Sequence, residues 1–233
     1  MDKELSFIKH MFDRIAPRYD YLNRLLSLKR DTFWRTQMVK AARLDKNNRV
    51  LDVACGTCDV ALEASAQLKG RVHITGLDFS LNMLRLGKKK IPPDISLVNG
   101  DVLHLPFGPQ SFDVVFIAFG IRNIMNRHKA VCEFFSILKK GGRLVVLELT
   151  TPDKGIFRSL YFLYFRRILP FIGSLFSKHS YAYQYLPDSV LNFPEPTEFA
   201  GIMENAGFTN VRFERMSLGI VTLFVGTKNF SSV

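Results

Sequence analysis

Three carboxylates recur at comparable places in this chain: Asp52 in VLDVACGTCDVAL, Asp78 in TGLDFS and Asp101 in NGDV. Each stands at or just beyond the end of a short apolar run. Between the first two lie Gly56 and Thr57, small residues in a loop that opens into a candidate helix. Glycine tolerates a positive φ or a close approach, and a helix start offers unbonded N–H groups. Such a site binds a nucleoside-containing cofactor at the carboxyl ends of parallel strands. Asp52 suits an ammonium group, Asp78 the two hydroxyls of a ribose, and Asp101 either an amino group or its own turn. A-C-G-T-C is not the G-x-G-x-x-G dinucleotide fingerprint, nor a phosphate loop, which would need a lysine. A single acid at a strand end is often only a turn former. Three on successive strands favour the binding reading.

These residues need a scaffold, and its elements follow from the pattern. Residues 1–48 read as helices: Phe7, Met11 and Ile15, then Tyr19, Leu22, Leu25 and Leu26 after Pro17, then Phe33, Trp34, Met38 and Ala41. From Arg49 short apolar strands alternate with helices. VLDVA, RVHITGLD, ISLVNGD, SFDVVFIAFG and GGRLVVLEL are the strands; 59–68, 81–90 and 127–138 are the helices. Ser80 is a good N-cap, and Pro92 and Pro93 stop the helix before them. Thr197–Ala206 reads as a further helix closed by Gly207, and TNVRFERMSLGIVTLFVGTK as two strands around Ser217–Gly219. The alternation predicts an α/β fold with a mostly parallel sheet. One domain spans 1–233: a helical cap (1–48), a cofactor-binding core (49–151), an aromatic insertion on the substrate side (152–193), and a helix with a β-hairpin (194–233).

Composition narrows the class. With 233 residues, 47% of them hydrophobic, the chain can fill a core. Three cysteines make no disulfide framework and point to a reducing compartment. The N-terminus lacks an apolar signal region, so a cytoplasmic protein is expected. A net charge of +11 attracts anions. No zinc-finger spacing or compact RNA-binding signature accompanies it, so nucleic acid is not an expected partner. The run Lys88–Lys90 reads as a solvated helix end. Ile156–Phe176 is strongly aromatic, but Arg158, Arg166, Arg167, Pro170 and Gly173 interrupt it. That argues against a spanning helix and leaves an aromatic lid, a buried helical hairpin or a surface that leans on a bilayer. Cys55-Gly56-Thr57-Cys58 has the spacing of a redox pair, yet it sits in a cofactor-type loop. Zinc would need more ligands than this spacing offers, so no metal is expected.

Taken together, VLDVACGTCDVAL, TGLDFSLNML, GDVLHLPF, SFDVVFIAFGIRN, KKGGRLVVLELTTP, YLPDSVLNFP and AGFTNVRFERMSLGIVTLFVGTK resemble the ubiquinone/menaquinone biosynthesis C-methyltransferases. These belong to the class I S-adenosylmethionine-dependent methyltransferases. The resemblance covers almost the whole chain; GIRN and the tyrosine segment are its most specific parts. It implies a three-layer Rossmann-like sheet of order 3-2-1-4-5-7-6 with strand 7 antiparallel. It also implies S-adenosylmethionine as cofactor. Asp52, Gly56 and Thr57 would line its methionine end, Asp78 its ribose, Asp101 and Val102 its adenine, and Ala118 would lie beside it. The family often carries glycine where this chain has Cys58.

Methyl transfer to a ring carbon is an in-line displacement that also removes a proton. Arg122 and Asn123, at the end of strand four, are the catalytic candidates. Arg122 would stabilise a ring oxygen or order a water, and Asn123 would orient that water or the ring. A structural salt bridge and a helix N-cap are their plain alternatives. Tyr19, Tyr183, Tyr185 and Phe193 would contact a prenylated quinol, with the alternating tyrosines of YAYQYLPDS read as extended. The expected acceptor is demethylmenaquinol. A ubiquinol precursor, another small apolar acceptor and a non-catalytic binding role are the alternatives. Transient contact with an anionic membrane surface is expected. The oligomeric state is open, a homodimer being one option.

Overall fold

The computed structural model describes residues 3–152, 155–163 and 181–229. Seven strands form one sheet: β1 (Arg49–Val53), β2 (His73–Asp78), β3 (Ser96–Asn99), β4 (Phe112–Ala118), β5 (Leu138–Leu149), β6 (Thr209–Met216) and β7 (Val221–Thr227). Their order is β3-β2-β1-β4-β5-β7-β6. The pairs β1–β2, β2–β3, β1–β4 and β4–β5 are parallel, while β7 runs antiparallel to both β5 and β6. Winding reverses between β1 and β4, and this opens a crevice at the carboxyl ends of those two strands.

Successive strand residues face opposite sides, so the sheet carries two cores. Val50, Ile74, Val114, Phe116 and Leu147 pack against α3 (Arg30–Ala41) through Trp34 and Met38, and against α4 (Asp59–Leu68) through Val60 and Ala64. Leu51, Val53, Val115, Ile117 and Val146 pack against Val131 and Phe134 of α6 (Arg127–Ile137), and against Phe199 and Met203 of the helix Pro196–Asn205. Burial on both faces explains why β1, β4 and β5 read as nearly continuous apolar runs. Ser80 caps α5 (Leu81–Lys88) as expected, its hydroxyl accepting the Met83 N–H at 3.1 Å.

At the N-terminus, α1 (Lys3–Ile15) and α2 (Tyr19–Leu26) flank a short turn that contains Pro17. Phe12 of α1 meets both Tyr19 and Phe79 edge to face, which brings this cap onto the end of β2. Two readings of local structure change. Strand β5 begins at Leu138 rather than Gly141. The segment Tyr181–Leu191 is a helix with Pro187 inside it, not an extended stretch. Leu186 and Val190, four residues apart, pack toward Leu22 and Tyr161, and that helical spacing overrides the tyrosine alternation. The part of the aromatic segment from 164 to 176 lies outside the described residues.

Candidate functional site

The loop between β1 and α4 is turned by three left-handed residues, Ala54 (φ 51°), Gly56 (φ 54°) and Cys58 (φ 71°). The Cys58 N–H donates to the Cys55 carbonyl at 2.8 Å, closing the turn. A left-handed conformation costs a residue with a Cβ about 1 kcal/mol or more, which is why glycine suits the position Cys58 holds. The space for its sulfur comes from another glycine. A Cβ on Gly87 would lie 2.6 Å from the Cys58 Sγ, and one on Gly76 would lie 2.9 Å from the Cys55 Sγ. The two sulfurs are 4.0 Å apart and buried. Among the described residues no third His, Cys, Asp or Glu joins them in a metal-holding cluster.

Asp52 is buried beneath this loop, and its Oδ2 has no hydrogen-bond partner among the described residues. Burial pushes its carboxyl up to about 8, against the pull of the Ala61 N–H and the Arg35 charge. A cationic ligand would restore the ionised form. Arg35 of α3 lines the same cavity, together with Tyr19, Gly56, Thr57, Asp59, Ala118 and Phe119. Its guanidinium pairs with Asp31 at 2.6 Å and lies 3.6 Å from Asp59. A buried carboxylate and a buried guanidinium on one cavity suit the ammonium and carboxylate of an α-amino acid. The sequence reading missed Arg35. The only signal was Asp31 one helical turn before it.

Asp78 is buried at the end of β2. It accepts the Gly56 N–H at 2.8 Å on one oxygen and the Ser80 N–H at 2.8 Å on the other. Burial pushes its carboxyl up to about 6, and these backbone donors hold it from rising further. Asp101 is half-exposed, and its Oδ1 accepts the Leu103 N–H at 2.9 Å, so it caps its own turn. Val102 packs beside it against the second core. Both lie just past β3, on the same sheet edge as Asp52 and Asp78, and outside the cavity lining.

Arg122 and Asn123 occupy a short 3-10 turn, Ile121–Asn123, after β4. The N-cap of α6 is Asn126, not Asn123. Arg122 does form a buried ion pair: its Nη1 donates to Glu148 Oε1 at 2.7 Å and to the Phe119 carbonyl at 2.5 Å. The Tyr185 hydroxyl donates to Asn123 Oδ1 at 3.0 Å. Tyr19 is half-buried near Arg122, and desolvation keeps its phenol protonated beyond the ordinary range. Tyr183 stands in the same helix as Tyr185, but its side chain lies outside the described set. The Phe193 ring is buried against Phe199, 5.2 Å between centroids, beneath the Arg127 guanidinium, and stands outside the cavity lining.

The lysine run is also corrected at its end. Lys90 is half-buried: its Nζ bonds Asp20 at 2.9 Å, Thr57 at 3.1 Å and Asp59. Burial disfavours the ammonium, but Asp59 and Asp20 outweigh it and keep it charged above the usual range. Thr57 in turn donates to Asp20. This knot fastens α2 to the cofactor loop.

Comparison with known proteins places this geometry. The profile of the ubiE/COQ5 methyltransferase family matches residues 1–228. The chain belongs to that family. Its relatives include the ubiquinone/menaquinone biosynthesis C-methyltransferase UbiE of Geotalea daltonii, 47% identical over 95% of this chain and 96% of that protein. The demethylmenaquinone methyltransferase of Thermus thermophilus is 43% identical over 94% of this chain and all of that one. Among solved structures, the [4+2]-cyclase SpnF superposes with a TM-score of 0.71 at 15% identity, covering 96% of each chain. A phosphoethanolamine N-methyltransferase of Haemonchus contortus, in complex with S-adenosyl-L-methionine, gives 0.63 at 16% identity, covering 84% of this chain and 52% of that one. At such identities the two structures bear on the fold alone, and a cyclase beside a methyltransferase shows why fold does not fix chemistry.

As a member of the ubiE/COQ5 family the chain is an S-adenosylmethionine-dependent methyltransferase. Its residues fit that cofactor. The unpartnered Asp52 oxygen, the nearby Arg35 and the glycine at position 56 match an amino-acid end that must come close to backbone.

Proposed function

We propose that this chain methylates a ring carbon of a prenylated quinol, demethylmenaquinol first. The acceptor named by the Thermus thermophilus relative, aligned over its full length, supports this choice. The double name of the UbiE relatives keeps a ubiquinol precursor as a second acceptor.

The cofactor supplies an electrophilic methyl on a sulfonium. Asp52 would hold its ammonium and Arg35 its carboxylate. Asp78 would take the ribose hydroxyls with the lone pairs that Gly56 and Ser80 leave open, and Asp101 and Val102 would take the adenine. Ala118, small and at the end of β4, leaves room for the methyl. The observation that carries the reading is the polar cluster Arg122–Asn123–Tyr185 next to this cavity, linked to it through Phe119 and Tyr19. Arg122 favours the anionic form of a ring oxygen, which makes the neighbouring ring carbon nucleophilic. Transfer would form a carbon–carbon bond as the sulfur–methyl bond breaks, and the ring carbon would then lose its proton. Arginine is too weak an acid to act as a base partner, so water or the substrate's own oxygen carries that proton away. Asn123, held by Tyr185, orients the acceptor.

The prenyl tail brings the membrane into this reading, because each buried CH₂ contributes about 0.8 kcal/mol and keeps the acceptor in the bilayer. Among the described residues no helix is long and apolar enough to cross a membrane. Tyr21, Leu25 and Leu28 are exposed on and after α2, beside Arg24, Lys29 and Arg30. That mixture suits reversible contact with an anionic surface from the cytoplasmic side. The catalytic assignment is tested with Arg122→Gln. A roughly 100-fold lower kcat with unchanged cofactor affinity is expected if one preorganised donor is lost; wild-type kcat overturns it.

A further inference from the structure

Glu148 is the one acid inside the long apolar strand β5, and its side chain is fully buried. Three donors converge on it. Arg122 Nη1 reaches Oε1 at 2.7 Å, the Leu149 N–H reaches the same oxygen at 2.8 Å, and the Arg122 N–H reaches Oε2 at 3.1 Å. One carboxylate therefore fixes both the backbone of the turn Ile121–Asn123 and the guanidinium that leaves it. The guanidinium's Nε is buried with no partner among the described residues.

We propose that Glu148 is a positioning residue for methyl transfer, aiming the Arg122 guanidinium and setting how much positive charge it presents to the acceptor. This rests on the reading that Arg122 faces a ring oxygen. The carboxylate does two opposed things. It orders a side chain that would otherwise sample several rotamers, and it offsets part of its charge. A fully unpaired guanidinium would bind an anionic ring oxygen more strongly but would be poorly placed. A rigid, partly compensated one gives up some field for geometry. The other charged or titratable groups facing the pair are Tyr19 from α2, Tyr185 from the helix Tyr181–Leu191 and Arg127 from α6. Arg127 Nη2 donates to the Arg122 carbonyl at 3.1 Å, so it braces the same turn from the other side. Burial holds the Tyr19 phenol protonated beyond its ordinary range, and Glu148 is the one carboxylate in this group.

All three hydrogen bonds are donated to Glu148, so its replacement by glutamine must bring an amide donor against a donor. Glu148→Gln is expected to lower kcat 10- to 100-fold while cofactor affinity stays within twofold. It should also move the acid limb of kcat against pH to lower pH by about one unit, because the Arg122 charge is no longer offset. Glu148→Asp keeps the charge and shortens the reach: kcat falls at least fivefold and the limb stays in place. A merely structural role would lower stability or protein yield and leave the limb unmoved in both. Unchanged kcat, or a fall in kcat with the Glu148→Gln limb fixed, overturns the proposal. Should Glu148→Gln not fold, Glu148→Asp decides alone: wild-type kcat, or a loss of kcat that comes with lowered stability, contradicts it, and the fivefold loss with intact cofactor affinity and wild-type stability supports it. Arg122→Gln separates the two readings. If that variant keeps full activity, the catalytic role of Arg122 is wrong. If it loses activity while both Glu148 variants behave as wild type, only the role of Glu148 is wrong.

Discussion

The Cys58 sulfur fills the space that a side chain on Gly87 would need: a Cβ there would lie 2.6 Å from it. The cofactor loop and α5 are thus matched in size across the core, a large residue on one facing the smallest on the other. In an ordinary helix Gly→Ala is favourable by about 1 kcal/mol. Here Gly87→Ala is expected to cost about 1–3 kcal/mol by overpacking. In a Cys58→Gly background most of that cost should vanish, although the Thr57 backbone stays close, at 3.3 Å. Denaturant unfolding of the four proteins measures the coupling. Additive effects would show that the two residues are independent.

With Asp52 on the ammonium end as proposed, cofactor binding is a proton-linked event. Its folded carboxyl lies near 8 against an ordinary 3.8. A raised carboxyl stabilises the fold fully below the ordinary value, and that contribution is lost as pH rises through 8. A bound ammonium reverses the preference by favouring the anion. Binding at pH 7 should release about one proton, visible as a dependence of calorimetric enthalpy on buffer ionisation. Affinity should rise from pH 6 to 8. Asp52→Asn should abolish the release and weaken binding about tenfold or more, one charge-assisted bond's worth. A binding enthalpy independent of buffer contradicts this.

Lys90 ties α2 to the loop through Asp20, Asp59 and Thr57. Lys90→Met removes the ammonium that joins the partly buried Asp20 and Asp59, leaving Arg35, 3.6 Å away, on Asp59. Amide exchange should quicken over Tyr19–Leu26 and stay slow in β1 and β4. The cofactor KM should rise roughly tenfold, equivalent to about 1.4 kcal/mol. Unchanged exchange in α2 would mean the knot is ornamental.

Contact with the bilayer should depend on charge. Co-sedimentation with vesicles containing anionic phosphatidylglycerol is expected to exceed that with neutral phosphatidylcholine vesicles and to fall with added salt. Leu28→Asp should weaken it further, since Leu28 is 85% exposed at the turn after α2. Equal binding to both vesicle types contradicts the proposed surface.

The sheet was legible in the sequence because its strands are short, apolar and separated by good helix signals, with Ser80 and the Pro92–Pro93 stop marking one unit plainly. The three acids were legible for the same reason: strand ends are easy to find and all point to one edge. Other parts depend on contacts between distant segments. Arg35 reaches the cavity from α3, and Lys90 becomes a clasp only when α2 folds onto the loop. Glu148 carried a usable signal, a lone acid in a buried strand that must have a partner. The helix at Tyr181–Leu191 was masked by alternating tyrosines and a proline, and only the Leu186–Val190 spacing hinted at it. The packing of Phe193 against Phe199 likewise joins segments that the sequence pattern does not link.

The most direct test of methyl transfer to a prenylated quinol supplies purified protein with methyl-labelled S-adenosylmethionine. Reduced demethylmenaquinol and the benzoquinol precursor are offered in parallel. The expected result is label on the ring carbon of the demethylmenaquinol product, abolished or strongly reduced in Arg122→Gln. Protein that binds the cofactor but leaves both quinols unlabelled would contradict the proposed function.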